Sequence, residues 1–313
     1  MQSRLIKLAM VAAMMTAGSG SARALTFNFT TIPGDTLTAA QSNAFITAGN
    51  AWSSVLADPV AVSVNIGFTN LGTGVLGETS PNYITITAAQ ATALLVADAK
   101  TSSDTAAVAS LVALPLTGSI AVTRAQAGAL GMSTPGLAGT IEFSTNYTFA
   151  TSRSAMGTIP GNAFDLIGVA EHEIAHLLGF DSSIDFGTPN GTPTLLDAFR
   201  FTGVGARTSK AGNAFFSLDD GVSAVLDPLN TPANFAPGGP SQYQASHWAP
   251  GVDGIMIPAY SPGQVIDPTA LDVKALDILG YDAATAVPEP DAAAILLAGL
   301  LSVGLLRRRD TRD

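Results

Sequence analysis

The 313-residue chain contains no cysteine. That excludes disulfides, thiolate metal sites and a cysteine nucleophile. Histidine is almost as scarce: any chemistry that needs imidazole must draw on His172, His176 and His247. Charged residues make up only 12% of the chain, and basic ones are the scarcest. Between residues 25 and 286, seven Lys and Arg face 20 Asp and Glu, a balance of −13. Such a domain has no electrostatic footprint for nucleic acid or for an anionic lipid surface. The 47% of apolar side chains, by contrast, suffices for a sizeable core in one or two domains.

The two ends read as addresses. Arg4 and Lys7 precede an apolar run from Leu8 to Ala17, and small residues lead to Ala22-Arg23-Ala24. This order predicts a secretory signal peptide over residues 1–24, and hence an exported protein. At the other end, Val287-Pro288-Glu289-Pro290 is followed by uncharged residues 292–306 and then by Arg307-Arg308-Arg309. The apolar segment is shorter than the roughly 20 residues of a full membrane span. This tripartite tail, residues 287–313, resembles the PEP-CTERM sorting signal of Gram-negative bacteria. The resemblance implies processing by exosortase-type machinery, transient membrane contact through the tail, and a final place on the outer surface or in the extracellular matrix.

Residues 25–286 show no repeat and no long linker, which predicts one compact unit. Phe45, Ala48, Trp52, Val55 and Leu56 recur at helical spacing within 38–56, and Val60, Val62, Val64, Ile66 and Phe68 alternate as in a half-buried strand. Helices are predicted over 88–99 and 104–114, and a second strand over 141–149. The stretch 181–244, rich in Gly, Pro, Asn and Thr, reads as an irregular insertion. A last helix over 271–279 is predicted to start from Asp267-Pro268 and to close at Gly280. Interleaved strands and helices make the class α+β.

The chemistry concentrates in Glu171-His172-Glu173-Ile174-Ala175-His176, an H-E-x-x-H on a predicted helix over 163–178. Histidines at i and i+4 share a helix face, with Cβ atoms about 5–6 Å apart, so both can reach one zinc ion. Glu173 borders that face and can take a proton from water as it attacks a carbonyl. Two protein ligands are too few. After Gly179, which can turn the chain, the compact spacing H-E-x-x-H-x-x-G-x-x-H/D would place a third ligand at Ser182, a poor one. Asp181 and Asp185 read as solvated loop charges, either of which could ligate only if the loop doubled back, and Asp219, Asp220 and Asp227 as solvated turns without EF-hand spacing for calcium.

The remaining histidine stands in Ser246-His247-Trp248, followed by Met256-Ile257-Pro258 and the last helix. This order resembles the leishmanolysin-like branch of the metzincin zinc proteases. The resemblance implies a zincin domain with a sheet over an active-site helix and an insertion before the third ligand. It also implies His172, His176 and His247 as zinc ligands, Glu173 as general base, Met256 beneath the metal, and the 141–149 strand as the edge that pairs with an extended protein or peptide substrate. The expected activity is that of an exported zinc endopeptidase. The alternatives are a surface or matrix structural protein with a vestigial zinc site, or a zinc hydrolase of a non-peptide bond.

Overall fold

The computed structural model describes residues 25–238 and 243–284; the leader read at 1–24 and the sorting tail read at 287–313 lie outside the described residues. The elements run β1 (Thr26–Thr31), α1 (Ala39–Val55), β2 (Ala61–Thr69), β3 (Gly77–Pro81), β4 (Tyr83–Thr87), α2 (Ala88–Asp98), α3 (Ser102–Ala113), β5 (Ser119–Thr123), α4 (Arg124–Ala129), β6 (Gly139–Ser144), β7 (Phe149–Ala150), β8 (Phe164–Asp165), α5 (Leu166–Leu177), β9 (Arg200–Phe201), β10 (Ala214–Phe216), β11 (Asn234–Phe235) and α6 (Ala270–Ile278). The class is α+β.

The main sheet has the order β1-β2-β6-β3. β1, β2 and β6 are parallel, and β3 runs antiparallel along β6. Alternation sorts its two faces: along β6, Ile141 and Phe143 are buried while Thr140 and Glu142 are half-buried. Helices α1 and α5 cover the buried face. Phe45 of α1 packs with its ring centroid 5.0 Å from that of Phe143. Gly139 approaches α5 so closely that a Cβ there would stand 2.6 Å from Leu177 Cδ1. Burial of each such phenylalanine stabilises by roughly 1.5–3 kcal/mol. The buried Trp52 then donates its Nε1–H to the Glu171 carbonyl at 2.9 Å, fastening α1 to α5.

α1 begins where its signals stand: Thr38 and Gln41 form a reciprocal capping box. Other boundaries differ from the sequence expectation. α5 starts at Leu166, not Ala163, because Asp165 caps it by accepting from Ile167 N. All twelve of its residues are buried, so it is an interior helix with no solvent face. α6 is capped by Thr269 and not by Asp267; Thr269 accepts from Leu271 N, Asp272 closes the capping box, and Asp267 pairs with Arg153 instead. The strand expected over 141–149 stops at Ser144, whose Oγ accepts from Asn146 N in a turn, and resumes only at β7. β6 is also an inner strand. The sheet's two edge strands are β1 and β3, and β3 is the one that meets α5, through Thr79 and Glu173.

The described residues of the segment 181–244 are more ordered than their composition suggests. β9, β10 and β11 form a small antiparallel sheet, order β11-β10-β9. Phe235 stacks on Trp248 with ring centroids 5.1 Å apart, and Phe180, at the exit of α5, meets the same indole edge-on at 4.8 Å. Trp248 therefore joins the insertion to the helix that carries His172 and His176. Among the described residues, no helix is long and apolar enough to cross a membrane.

Candidate metal centre

The site is set by how α5 ends. Gly179 adopts φ +109°, a conformation that L side chains rarely take, and the chain reverses there. Gly179 N–H bonds the His176 carbonyl and Phe180 N–H bonds the Ala175 carbonyl, each at 3.0 Å, which is a Schellman closure. The turn delivers the Phe180 carbonyl to the ring it has just passed, 2.7 Å from His176 Nδ1. Gly179 thus does what the sequence asked of it and also orients a histidine.

His172 and His176 lie on one side of α5 with their Nε2 atoms 3.2 Å apart. His247, 71 residues beyond His176, brings its own Nε2 to 3.1 Å from His172 Nε2. All three rings are buried. Each turns its Nδ1 to a backbone carbonyl: His172 to Ile255 at 2.8 Å, His176 to Phe180 at 2.7 Å, and His247 to Gln244 at 3.2 Å. A carbonyl only accepts, so each Nδ1 carries the proton. Burial disfavours a second proton on any of them, pushing His172 down to about 4, His247 to about 3 and His176 well below the usual imidazole value. Three neutral imidazoles therefore aim three Nε2 lone pairs at a common point. This donor set repels itself and fits a cation that prefers nitrogen ligands. Among the described residues, these three form the one group of His, Asp and Glu side chains that could hold a metal ion.

Glu173 sits beside the trio. Thr79 of β3 places its hydroxyl 2.7 Å from Glu173 Oε2 and 2.9 Å from the Glu173 carbonyl. Gly77, two residues earlier on the same strand, abuts the carboxylate: a Cβ there would stand 2.7 Å from Oε1. Burial raises the Glu173 carboxyl to about 7. Neither Thr79 nor Gly77 carries a motif that sequence reading could have found, because both act through the pairing of β3 with β6.

The segment after His247 is bound from several sides. Trp248 N–H bonds the Met256 carbonyl at 2.8 Å. Met256 is buried in the core, and the residue before it, Ile255, supplies the carbonyl that holds His172. Tyr260 donates its hydroxyl to that same carbonyl at 2.7 Å. Asp272 of α6, also buried, accepts from Trp248 Nε1 at 2.8 Å, from Ile255 N at 2.9 Å and from Thr269 N at 2.8 Å. One carboxylate thereby fixes the neighbours of two histidines. Replacing it in Asp272→Ala leaves these buried donors without an acceptor and is expected to cost about 3 kcal/mol or more, read as a lower urea midpoint. An unchanged midpoint would contradict this role.

Asp181 and Asp185 stand outside the trio, but neither is a solvated loop charge. Asp181 is buried and bonded to the Tyr83 hydroxyl. Asp185 accepts from Ser246 N at 2.7 Å, and the buried Arg200 of β9 donates to the Ala245 carbonyl at 2.8 Å, so both brace the two residues before His247. Asp219 and Asp227 accept from the backbone of their own turns, at Ser223 N and at Leu229 N and Thr231 N.

The trio and Glu173 open on a cleft of about 870 Å³. β3 forms one wall, and Phe186, Tyr243 and Ile257 stand among the residues facing it. No protein-family model and no curated protein matches this chain. The chemistry must therefore be read from the centre itself.

Burial leaves a mark on stability as well as on the site. It raises the carboxyls of Asp58, Glu171 and Asp181 to about 7, 8 and 7. In the unfolded chain these groups are ionised well below pH 6.5, so between pH 6.5 and 8 the folded state holds more protons, and its stability falls as pH rises. The three histidines, about half protonated at pH 6.5 when unfolded and neutral when folded, pull the other way but offset only part of this, because their contribution fades within about a unit above 6.5 while the carboxyls titrate up to 8. The urea midpoint of the metal-free protein is expected to be lower at pH 8 than at pH 6.5; the opposite slope would refute these raised values.

Proposed function

We propose that the protein is a zinc-dependent endopeptidase of metzincin type, exported and sorted by its two ends. The observation that carries this reading is the convergence of three Nε2 lone pairs, each fixed by a carbonyl behind it, next to a buried glutamate in one cleft. His172, His176 and His247 would hold the ion. When bound, zinc supplies Lewis-acid polarisation of a carbonyl and acidifies water.

The rest is work for the chain. The Thr79 hydroxyl engages Glu173 Oε2, which leaves Oε1 to take a proton from the attacking water and pass it to the leaving amine. A carboxyl raised to about 7 by burial is matched to that task. A divalent cation nearby favours the carboxylate form, so the acid limb of activity is expected below pH 7. The free edge of β3 offers main-chain groups to an extended peptide, by strand addition. β3 takes the part that the sequence reading assigned to the 141–149 strand. Chelator-sensitive cleavage of casein, with no comparable turnover on an ester panel, tests the reading; ester turnover without peptide cleavage would replace it with a hydrolase of another bond.

Gly77 gives a sharper prediction. Gly77→Ala pushes a methyl group against Glu173 Oε1. It should lower kcat by about tenfold or more while zinc content stays that of the wild type, because a small displacement of a proton-transfer group is costly. Wild-type kcat in this variant would show that the carboxylate is not used where it lies.

A further inference from the structure

β1 ends the main sheet on the side away from β3 and the cleft, and its register is set by β2. Thr26 N bonds the Val60 carbonyl and Ile32 N bonds the Ile66 carbonyl, each at 2.9 Å, with Phe29 opposite Val64. Bonded residues alternate along such a pair, so Thr26, Asn28, Thr30 and Ile32 turn their backbone groups to β2. Phe27, Phe29 and Thr31 turn theirs outward. Among the described residues no strand or bridge meets that outer side. It also lacks what normally blocks an open edge, since Thr26–Thr31 contains no charge and no proline and pairs with β2 without a bulge.

The surface beside this edge is apolar and uncharged. Phe27 and Phe29 face α1, where a Cβ on Gly49 would stand 3.0 Å from the first ring and 3.2 Å from the second. A groove of about 330 Å³ runs between strand and helix, bordered by Leu37, Ser42 and Ile46, and Ile46 is 51% exposed. None of the 17 residues of α1 is charged. Over residues 25–56 the single charge is Asp35, which accepts from Phe68 N at 3.0 Å. The rest of a domain that carries −13 repels a second copy, and this face does not.

The edge is also complementary to itself. Its outward residues are evenly spaced about Phe29, so a second β1 laid antiparallel sets Phe29 against Phe29 and Phe27 against Thr31 twice. These are three hydrogen-bonded pairs, each exchanging two backbone bonds, around one twofold axis. Asn28 then lies opposite Thr30 of the second copy as a closer, non-hydrogen-bonded pair on the exposed face. The axis is normal to the sheet, so both α1 helices stand on one face and the two grooves look toward each other. We propose that the protein forms a homodimer by antiparallel pairing of β1 with β1 of a second copy, which joins two four-stranded sheets into one of eight strands. A twofold contact of this kind occupies both edges and closes the assembly. Both clefts, beside the β3 edges, stay open, and the pairing is independent of the endopeptidase reading.

The test is sedimentation velocity of the full-length protein from about 1 to 200 μM. One strand pair and a groove make a small interface, the class that associates reversibly, so the mass should pass from monomer to dimer in this range and stop there. In the double variant Asn28→Asp with Thr30→Asp, carboxylates oppose each other twice across the axis, and association should weaken at least about tenfold. Both native side chains are exposed, so the fold should hold. Asn28→Lys with Thr30→Lys should be as weak alone. An equimolar mixture of the two double variants opposes unlike charges and should restore the dimer. A wild type that stays monomeric throughout or grows beyond a dimer, a dimer that survives the paired aspartates, or a mixture that stays monomeric overturns the inference.

Discussion

Glu173→Ala should bind zinc as the wild type does and lose about 100- to 10,000-fold in kcat, the range associated with a positioned general base. The expectation follows from where the carboxylate lies. Its helix neighbour His172 belongs to the Nε2 trio, whereas Glu173 turns to Thr79 and Gly77 on β3 and lies outside the three-nitrogen group. Removing it takes away the proton acceptor and leaves all three nitrogens with their carbonyl partners. Truncation also removes a buried carboxyl raised by desolvation, so the fold should not suffer. Metal content and steady-state kinetics on the same preparation decide the matter. Near-wild-type turnover would remove the proposed base; loss of zinc would mean that the carboxylate is a ligand after all.

The second large effect is expected at His247. In His247→Ala only His172 and His176 remain, and two protein ligands do not make a stable zinc site. Affinity should fall far beyond the roughly 10–100-fold that follows from removing a group that merely supports a ligand. Asp185→Ala belongs to that milder class, because it frees Ser246 N immediately before His247. Sequence reading alone would have left Asp185 without effect. Asp181→Ala should leave zinc affinity almost unchanged, since its carboxylate serves Tyr83. The ordering His247, then Asp185, then Asp181, measured by competition with a chromogenic chelator, separates ligand, brace and bystander. Equal affinities for wild type and His247→Ala would exclude the third ligand.

The elements legible in the sequence were those with strong periodicity. α1 and β2 repeat their apolar residues at the spacing of helix and strand, and α5 carries the H-E-x-x-H. The three histidines and Glu173 could be picked out because so few other residues could do the chemistry. β3 escaped notice, since Gly77-Glu78-Thr79-Ser80-Pro81 has the composition of a turn and becomes a strand only through its pairing with β6. With it goes the edge beside the site, which the metzincin resemblance places at 141–149, a stretch whose strand β6 is an inner one. Asp272 and Asp185 were equally silent: each is one acid among many until the fold brings Trp248 or Ser246 to it. The insertion looked irregular because its strands are two or three residues long and are held by Trp248, which lies beyond them in sequence.

In the proposed function, one zinc ion held by this trio drives peptide hydrolysis. A titration tests it most directly: metal-free protein is loaded with increasing zinc, and casein hydrolysis is measured at each ratio. Activity should rise from zero in a straight line and break at about one equivalent per chain. Zinc that binds at that stoichiometry while hydrolysis stays flat at zero would contradict it.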